Sequence, residues 1–173
     1  FDDLGDGRDS ADILIDANVH TSQKNTNNQM QLFGERYILL NPIFSSYNQK
    51  EKPIRNKISN LVMFFGGSDP SNIGGFILEN YGNLMITRLS ATLIARGFKR
   101  GQLAASTAAG SSAQLETLRI IDTVLEPREM AELYFNADIA IVSGGISLYE
   151  TLCVGTPTIT INHNAEQNRN VEY

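Results

Sequence analysis

The run Leu61-Val62-Met63-Phe64-Phe65-Gly66-Gly67-Ser68-Asp69-Pro70-Ser71-Asn72 decides how this chain folds. Five apolar residues in succession leave no polar face, as in a strand covered on both sides within a parallel sheet. The glycines then mark a turn, and a helical pattern begins at Ile73. The same order returns at Asp138-Ile139-Ala140-Ile141-Val142, which runs into Ser143-Gly144-Gly145 and a helix over 147–154 ending at Gly155-Thr156-Pro157. Between these blocks a helical stretch is expected over 84–96, with Met85, Leu89 and Leu93 on one face and a stop at Gly97. A strand is expected over 120–125, then a helix opened by Pro127 with Met130, Leu133 and Tyr134 at helical spacing. Thr158-Ile159-Thr160-Ile161 reads as the last strand, and the polar segment 162–173 closes the chain. Strands and helices in alternation predict an α/β fold, a Rossmann-like parallel sheet flanked by helices.

Upstream the signals are weaker. Ala11-Asp12-Ile13-Leu14-Ile15-Asp16 reads as a short buried strand, and 21–31, rich in Asn and Gln, as a loop. Tyr37-Ile38-Leu39-Leu40 is a second strand candidate, stopped by Asn41-Pro42. The polar stretch 45–60, with Lys50, Lys52, Arg55 and Lys57 close together, reads as a solvated linker rather than a binding patch. Residues 102–113 are small and featureless; a strand followed by a loop is expected there, without a defined position.

Composition narrows the function classes. Among 173 residues, 19 Asp and Glu against 14 Lys and Arg give a net charge of −5, which argues against sequence-independent nucleic-acid binding. Hydrophobic content of 42% argues against intrinsic disorder. A single cysteine allows no internal disulfide and no Cys-rich metal site; Cys153, on an apolar helix stretch, reads as a core residue. No apolar run approaches the ~20 residues of a membrane span, and no signal sequence opens the chain, so a soluble cytoplasmic protein is expected. The chain opens on Phe1-Asp2-Asp3 without Met and is read as a piece of a longer protein.

Ligands of parallel sheets bind beyond the carboxyl ends of the strands, and both glycine pairs sit at such ends. Without Cβ atoms, backbone N–H groups approach an anion closely, and the following helix dipole adds partial positive charge. Each pair also reads more simply as a tight strand-to-helix turn. No Gly-Lys-Ser/Thr follows either, which disfavours a nucleoside-triphosphate hydrolase. Ser147 and Glu150 stand at capping-box spacing, so Glu150 reads either as a helix cap or as a carboxylate accepting vicinal hydroxyls.

The block 61–72, Met130-Ala131-Glu132-Leu133, Ala137-Asp138-Ile139-Ala140-Ile141 and Gly144-Gly145-Ile146-Ser147-Leu148-Tyr149-Glu150 resemble the UDP-sugar hydrolases of pseudaminic acid biosynthesis, the PseG family. The spore-coat polysaccharide proteins called SpsG share the pattern, as more distantly does the glycosyltransferase MurG. Asp2-Asp3-Leu4, the run 11–18 and Leu39-Leu40-Asn41-Pro42 resemble the end of that family's first domain. The resemblance implies a GT-B protein: residues 1–44 ending a first Rossmann-like domain, 45–60 a linker, and 61–173 a UDP-binding C-terminal domain. It implies that Gly66, Gly67 and Ser68 approach the nucleotide, that Gly144, Gly145 and Ser147 cradle the diphosphate, and that Glu150 takes the ribose hydroxyls. Gln167 and Asn168 match the family's amide contacts to phosphate or sugar in type, although in reversed order. Ile146 stands where many members carry Ser or Thr.

The implied activity is cleavage of the anomeric C–O bond of a UDP-amino-sugar to release UDP, with no metal or cofactor. The family's Gly-x-Gly-His segment is absent from this sequence, so no catalytic residue is assigned; His20 and His163 lack that glycine context and read as loop histidines. A glycosyltransferase using a UDP-sugar donor and a non-catalytic UDP-sugar-binding module are the competing readings.

Overall fold

The computed structural model describes residues 10–17, 30–67, 69, 71–86, 90–94 and 118–171. In chain order the elements are β1 (Ile13–Asp16), β2 (Met30–Phe33), α1 (Pro42–Asn48), β3 (Asn60–Phe64), α2 (Ile73–Ile86), β4 (Ser90–Ile94), β5 (Leu118–Ile121), α3 (Pro127–Asn136), β6 (Ile139–Val142), α4 (Ile146–Val154), β7 (Thr158–Thr160) and α5 (Ala165–Val171). They fall into two compact units, Phe1–Leu40 with Asn164–Tyr173, and Asn41–His163. In the first, β1 and β2 pair in parallel with Ile13 opposite Met30.

In the second unit the apolar run at 61–65 supplies the central strand. All five strands are parallel, in the order β5-β4-β3-β6-β7. Alternate side chains of β3 feed opposite faces. Leu61, Met63 and, just past the strand, Phe65 pack with Ile77 and Leu78 of α2 and with Leu93 and Ile141. Val62 joins Phe44, Tyr47, Met130, Tyr134 and Leu148 on the other face, which α1, α3 and α4 cover. A strand so enclosed has no place for a polar residue, which is why the sequence there is apolar without alternation. Met63 is wholly buried, and its truncation to Ala would cost about 2–5 kcal/mol.

Helix boundaries follow local chemistry. Asn41 caps α1 by accepting from the Ile43 N–H at 3.1 Å, and Pro42 takes the first turn. Pro127 opens α3, where the Glu129 carboxylate accepts the Glu126 N–H at 2.8 Å. Gly155, at φ +78°, closes α4 in the left-handed conformation.

Several expectations are corrected. Within the helical stretch expected over 84–96, residues 84–86 end α2 and 90–94 form strand β4, while 87–89 and 95–96 lie outside the described residues. Apolar residues four apart satisfy the strand period as well as the helix period, and burial of Ala91, Leu93 and Ile94 between two neighbouring strands decides for the strand. The strand expected over 37–40 is replaced by a 3-10 turn at Glu35–Tyr37, with the Tyr37 N–H donating to Gly34 O and Leu39 exposed. The strand expected over 120–125 lies earlier, at 118–121. Residues 30 and 31, read as loop, belong to β2, and the polar closing segment contains α5.

The stretch read as a solvated linker starts inside α1, with Tyr47 buried. Most of its cations are engaged within the unit. The Lys50 ammonium lies 3.6 Å from the Tyr47 ring centroid. Lys52 Nζ donates to Tyr134 O at 3.0 Å and to Thr156 Oγ1 at 2.6 Å. Arg55 pairs with Asp138. The featureless run 102–113, the loop residues 21–29, Ser68 and His20 lie outside the described residues.

Candidate functional site

From β3 the chain proceeds to β4 on one side of the sheet; from β6 it proceeds to β7 on the other. The adjacent pair β3 and β6 is therefore the topological switch point, where loops diverge and leave a crevice beyond the carboxyl ends. The two glycine turns leave from these two strands. A cleft of about 300 Å³ opens there, with Phe44, Phe64, Ile94 and Met130 on its walls and Gly67 and Glu150 among its lining residues. Val124 and Ile146, both more than half exposed, also line it.

The glycine turns differ in what their helices can offer. At the first, both oxygens of Asp69 accept from the start of α2, Oδ1 from the Ile73 N–H at 2.9 Å and Oδ2 from the Gly74 N–H at 2.8 Å. The chain's own carboxylate thus answers that helix dipole. At the second, Gly145 is the N-cap of α4, with no side-chain cap bond and no acidic residue in the first turn. Both pairs suit a phosphate on sequence grounds, yet only the second leaves a helix start without an internal anion. Gly66 adopts φ +83°, a conformation that favours glycine, whereas Gly67 is exposed, and a Cβ there would meet nothing within 4 Å. Packing therefore does not require glycine at 67; its bare backbone faces open cleft.

Glu150 lies in the second turn of α4, on the cleft wall. Because Gly145 is the N-cap, Ser147 is the second helical residue and the pair does not form a capping box. Burial against apolar walls pushes the Glu150 carboxyl up to about 7, since desolvation disfavours the charged form. Among the described residues lining the cleft it is the one ionisable group. Ser147, almost fully buried, sits one turn before it. The Tyr134 hydroxyl of α3 is also buried and meets no partner in hydrogen-bond geometry. Burial and then the Glu150 charge push its phenol far up, while a weak side-chain hydrogen bond to Ser147 acts in the opposite direction.

Other sequence candidates are placed as follows. His163 Nε2 lies 2.8 Å from Phe65 O, so that nitrogen carries the proton and the ring braces the first glycine turn. Gln167 and Asn168 lie on α5, in the smaller unit, where their N–H groups donate to Asn164. Among the described residues no group of three or more His, Cys, Asp or Glu could hold a metal ion, and no helix is long and apolar enough to cross a membrane. Sequence reasoning missed the Asp69 cap, the cleft walls and the Tyr134 hydroxyl. An Asp four residues before a helical pattern is the one available signal for the first.

Away from the cleft, two charged groups anchor the unit. Burial alone would raise the Asp138 carboxyl, but the Ser59 N–H, the Arg55 guanidinium and the Asn60 N–H outweigh it and hold the group below its ordinary range. Burial lowers Lys52 to about 8, with Asp138 opposing and Arg55 assisting that shift.

No known family model matches this chain. It is 27% identical over 137 residues to the spore coat polysaccharide biosynthesis protein SpsG of Bacillus subtilis (strain 168), across 75% of this chain and 36% of that protein. It is 28% identical over 167 residues to an uncharacterized protein of Methanocaldococcus jannaschii, MJ1062, across 91% of this chain and 33% of the relative. The chain thus spans about a third of the length of these relatives. Among solved structures it is similar to the trehalose-6-phosphate synthase OtsA, with a TM-score of 0.52 and 12% identity over 89% of this chain and 46% of that one. A UDP-forming trehalose-phosphate synthase from Burkholderia xenovorans gives a TM-score of 0.50 and 15% identity, covering 89% and 47%. An E. coli trehalose-6-phosphate protein bound with UDP-2-fluoro glucose gives 0.51 and 10%, covering 89% and 46%. These likenesses show the fold, a Rossmann-like parallel α/β sheet flanked by helices.

Proposed function

We propose that residues 41–163 form the UDP-sugar-binding unit of a glycosyltransferase-like GT-B protein of surface-glycan synthesis, whose whole-protein activity is hydrolysis of a UDP-amino-sugar with release of UDP. The observation that carries this reading is the single-carboxylate cleft at the switch point, beside a helix start that no side chain caps. The diphosphate lies at Gly144, Gly145 and the start of α4, where backbone N–H groups and the dipole supply positive charge. Glu150, next in the same helix, accepts the two vicinal ribose hydroxyls, an acceptor-only group facing two donors. The apolar walls take the flat face of the base. Similarity to SpsG, a spore coat polysaccharide biosynthesis protein, supports the surface-glycan setting. In the whole protein, residues 1–40 end a first domain and 41–163 belong to the second. The binding site uses groups of the larger unit only.

A second reading has its own support. The structural neighbours include a UDP-forming synthase, which favours a transferase in which an acceptor hydroxyl takes the place of water. The two readings share the UDP site. Calorimetric titration with UDP, UMP and UDP-N-acetylhexosamine tests that site: UDP is expected to bind more tightly than UMP, and a folded sample that binds neither would end the reading. Glu150→Ala is expected to weaken UDP binding by about 1–3 kcal/mol. Free UDP released from UDP-N-acetylhexosamine in water alone favours the hydrolase; release only with an added sugar acceptor favours the transferase.

A further inference from the structure

Tyr134 has no exposed surface, and its hydroxyl meets no partner in full hydrogen-bond geometry, with only a weak side-chain hydrogen bond to Ser147. Its other end is pinned: the Tyr134 carbonyl accepts from Lys52 Nζ at 3.0 Å and from Thr156 Oγ1 at 2.7 Å. A phenol fixed in this way cannot turn to water, and a buried donor so weakly partnered costs free energy that a phenylalanine would avoid. Tyr134 packs in one core cluster with Leu148 of α4, and the groups of that helix that influence its hydroxyl are Glu150, through its charge, and Ser147. These stand three residues apart, on one helix face. The remaining charges do not compete for this place. Helix α1 and strands β6 and β7 carry no charged residue, and the charged residues of α3, Arg128, Glu129 and Glu132, are exposed.

We propose that the Tyr134 hydroxyl is a positioning donor for Glu150, engaged, directly or across Ser147, when that carboxylate ionises. The ligand half of this rests on Glu150 as the ribose acceptor. An ionised carboxylate offers about four acceptor sites, more than two ribose hydroxyls occupy. A donor from behind fixes the carboxylate rotamer and stabilises its charge, so the oxygens face the ribose in one orientation. Tyr134 touches no ligand in this arrangement; it acts through Glu150.

The test is Tyr134→Phe in the full chain, read first without ligand. Carboxyl-carbon NMR is expected to move the Glu150 titration midpoint upward by about half a unit or more, with no loss of thermal stability at pH 5, where the folded carboxyl is protonated. An unchanged midpoint overturns the proposal. A melting temperature lowered by several degrees at pH 5 also overturns it, because the hydroxyl would then be held by another partner. UDP titration at pH 8 is the second reading. Tyr134→Phe is expected to weaken binding roughly three- to tenfold, but to add nothing to Glu150→Gln in the double variant. Additive losses would overturn the proposal. If the midpoint moves while the wild type fails to bind UDP, the coupling stands and the ribose reading falls.

Discussion

Glu150 makes the stability of the unliganded protein fall as pH rises from about 4.5 to about 7, and Glu150→Gln removes that dependence. The carboxyl moves from its ordinary 4.5 to about 7 on folding. Between those values the folded state binds more protons than the unfolded state, so unfolding free energy declines with pH across this window and is flat above it. A shift of that size corresponds to about 3 kcal/mol at ~1.4 kcal/mol per unit. Glu150 is half-buried, and water at the cleft mouth screens its charge, so a loss of about 1–2 kcal/mol is expected. The Gln side chain keeps the size and stays neutral. Urea unfolding of both proteins at pH 5 and pH 8 measures the effect as a difference between them, which cancels groups they share. A variant ahead by only a few tenths of a kcal/mol at pH 5 and by about 1–2 kcal/mol at pH 8 is the expected pattern. Parallel pH profiles for the two proteins would refute the claim that the empty cleft desolvates this carboxylate. Saturating UDP should flatten the wild-type profile, because hydroxyl donors favour the ionised form that the empty cleft disfavours.

Asp69→Ala is expected to lower stability by about 1–2 kcal/mol in urea unfolding through loss of the α2 cap, while UDP affinity measured by calorimetry changes little. A large affinity loss without destabilisation would place a ligand phosphate at α2 instead. Gly67→Ala adds a Cβ with nothing within 4 Å, so the melting temperature should hold; UDP affinity should drop about tenfold or more if the bare backbone meets the nucleotide, and an unaffected affinity would remove Gly67 from the site. Lys52, lowered to about 8, binds fewer protons folded than unfolded from there to 10.5. Wild-type stability should therefore rise across that alkaline window, and Lys52→Met should lose the rise; a rise retained in the variant would assign it to another group.

The sheet was legible where burial acts on both faces of one strand. Leu61 to Phe65 and Ile139 to Val142 needed only their apolar runs and the glycines behind them. Strand β4 was not legible, because a spacing of four residues satisfies both periods and its neighbouring strands are distant in sequence. Helix α1 was hidden by Asn41-Pro42, which reads as a stop but acts as a cap and first turn. Its burial depends on α3 and α4, about 80 to 110 residues downstream, which no local pattern reports. At the site, the glycines and Glu150 were visible as residue types. The raised Glu150 carboxyl was not, since its desolvation comes from walls contributed by α1, β3, β4 and α3.

The two glycine turns look equivalent in sequence, and the physical difference between them is one carboxylate. Asp69 gives α2 a permanent anion, so a phosphate placed there would meet a like charge at the same donors. At α4 the corresponding acid is Glu150, held a turn further along, where it faces the cleft rather than the helix start. That displacement lets one helix serve two parts of a nucleotide: the first turn takes negative charge and the second takes hydroxyl donors. It also separates like charges, because a diphosphate at the N-terminus and a carboxylate at the ribose need the sugar between them. In a chain of net charge −5, long-range attraction gives an anionic ligand no help, so recognition falls to short-range backbone donors. An apolar cleft strengthens those donors by excluding water, and the same exclusion is what drives Glu150 toward its neutral form when the cleft is empty.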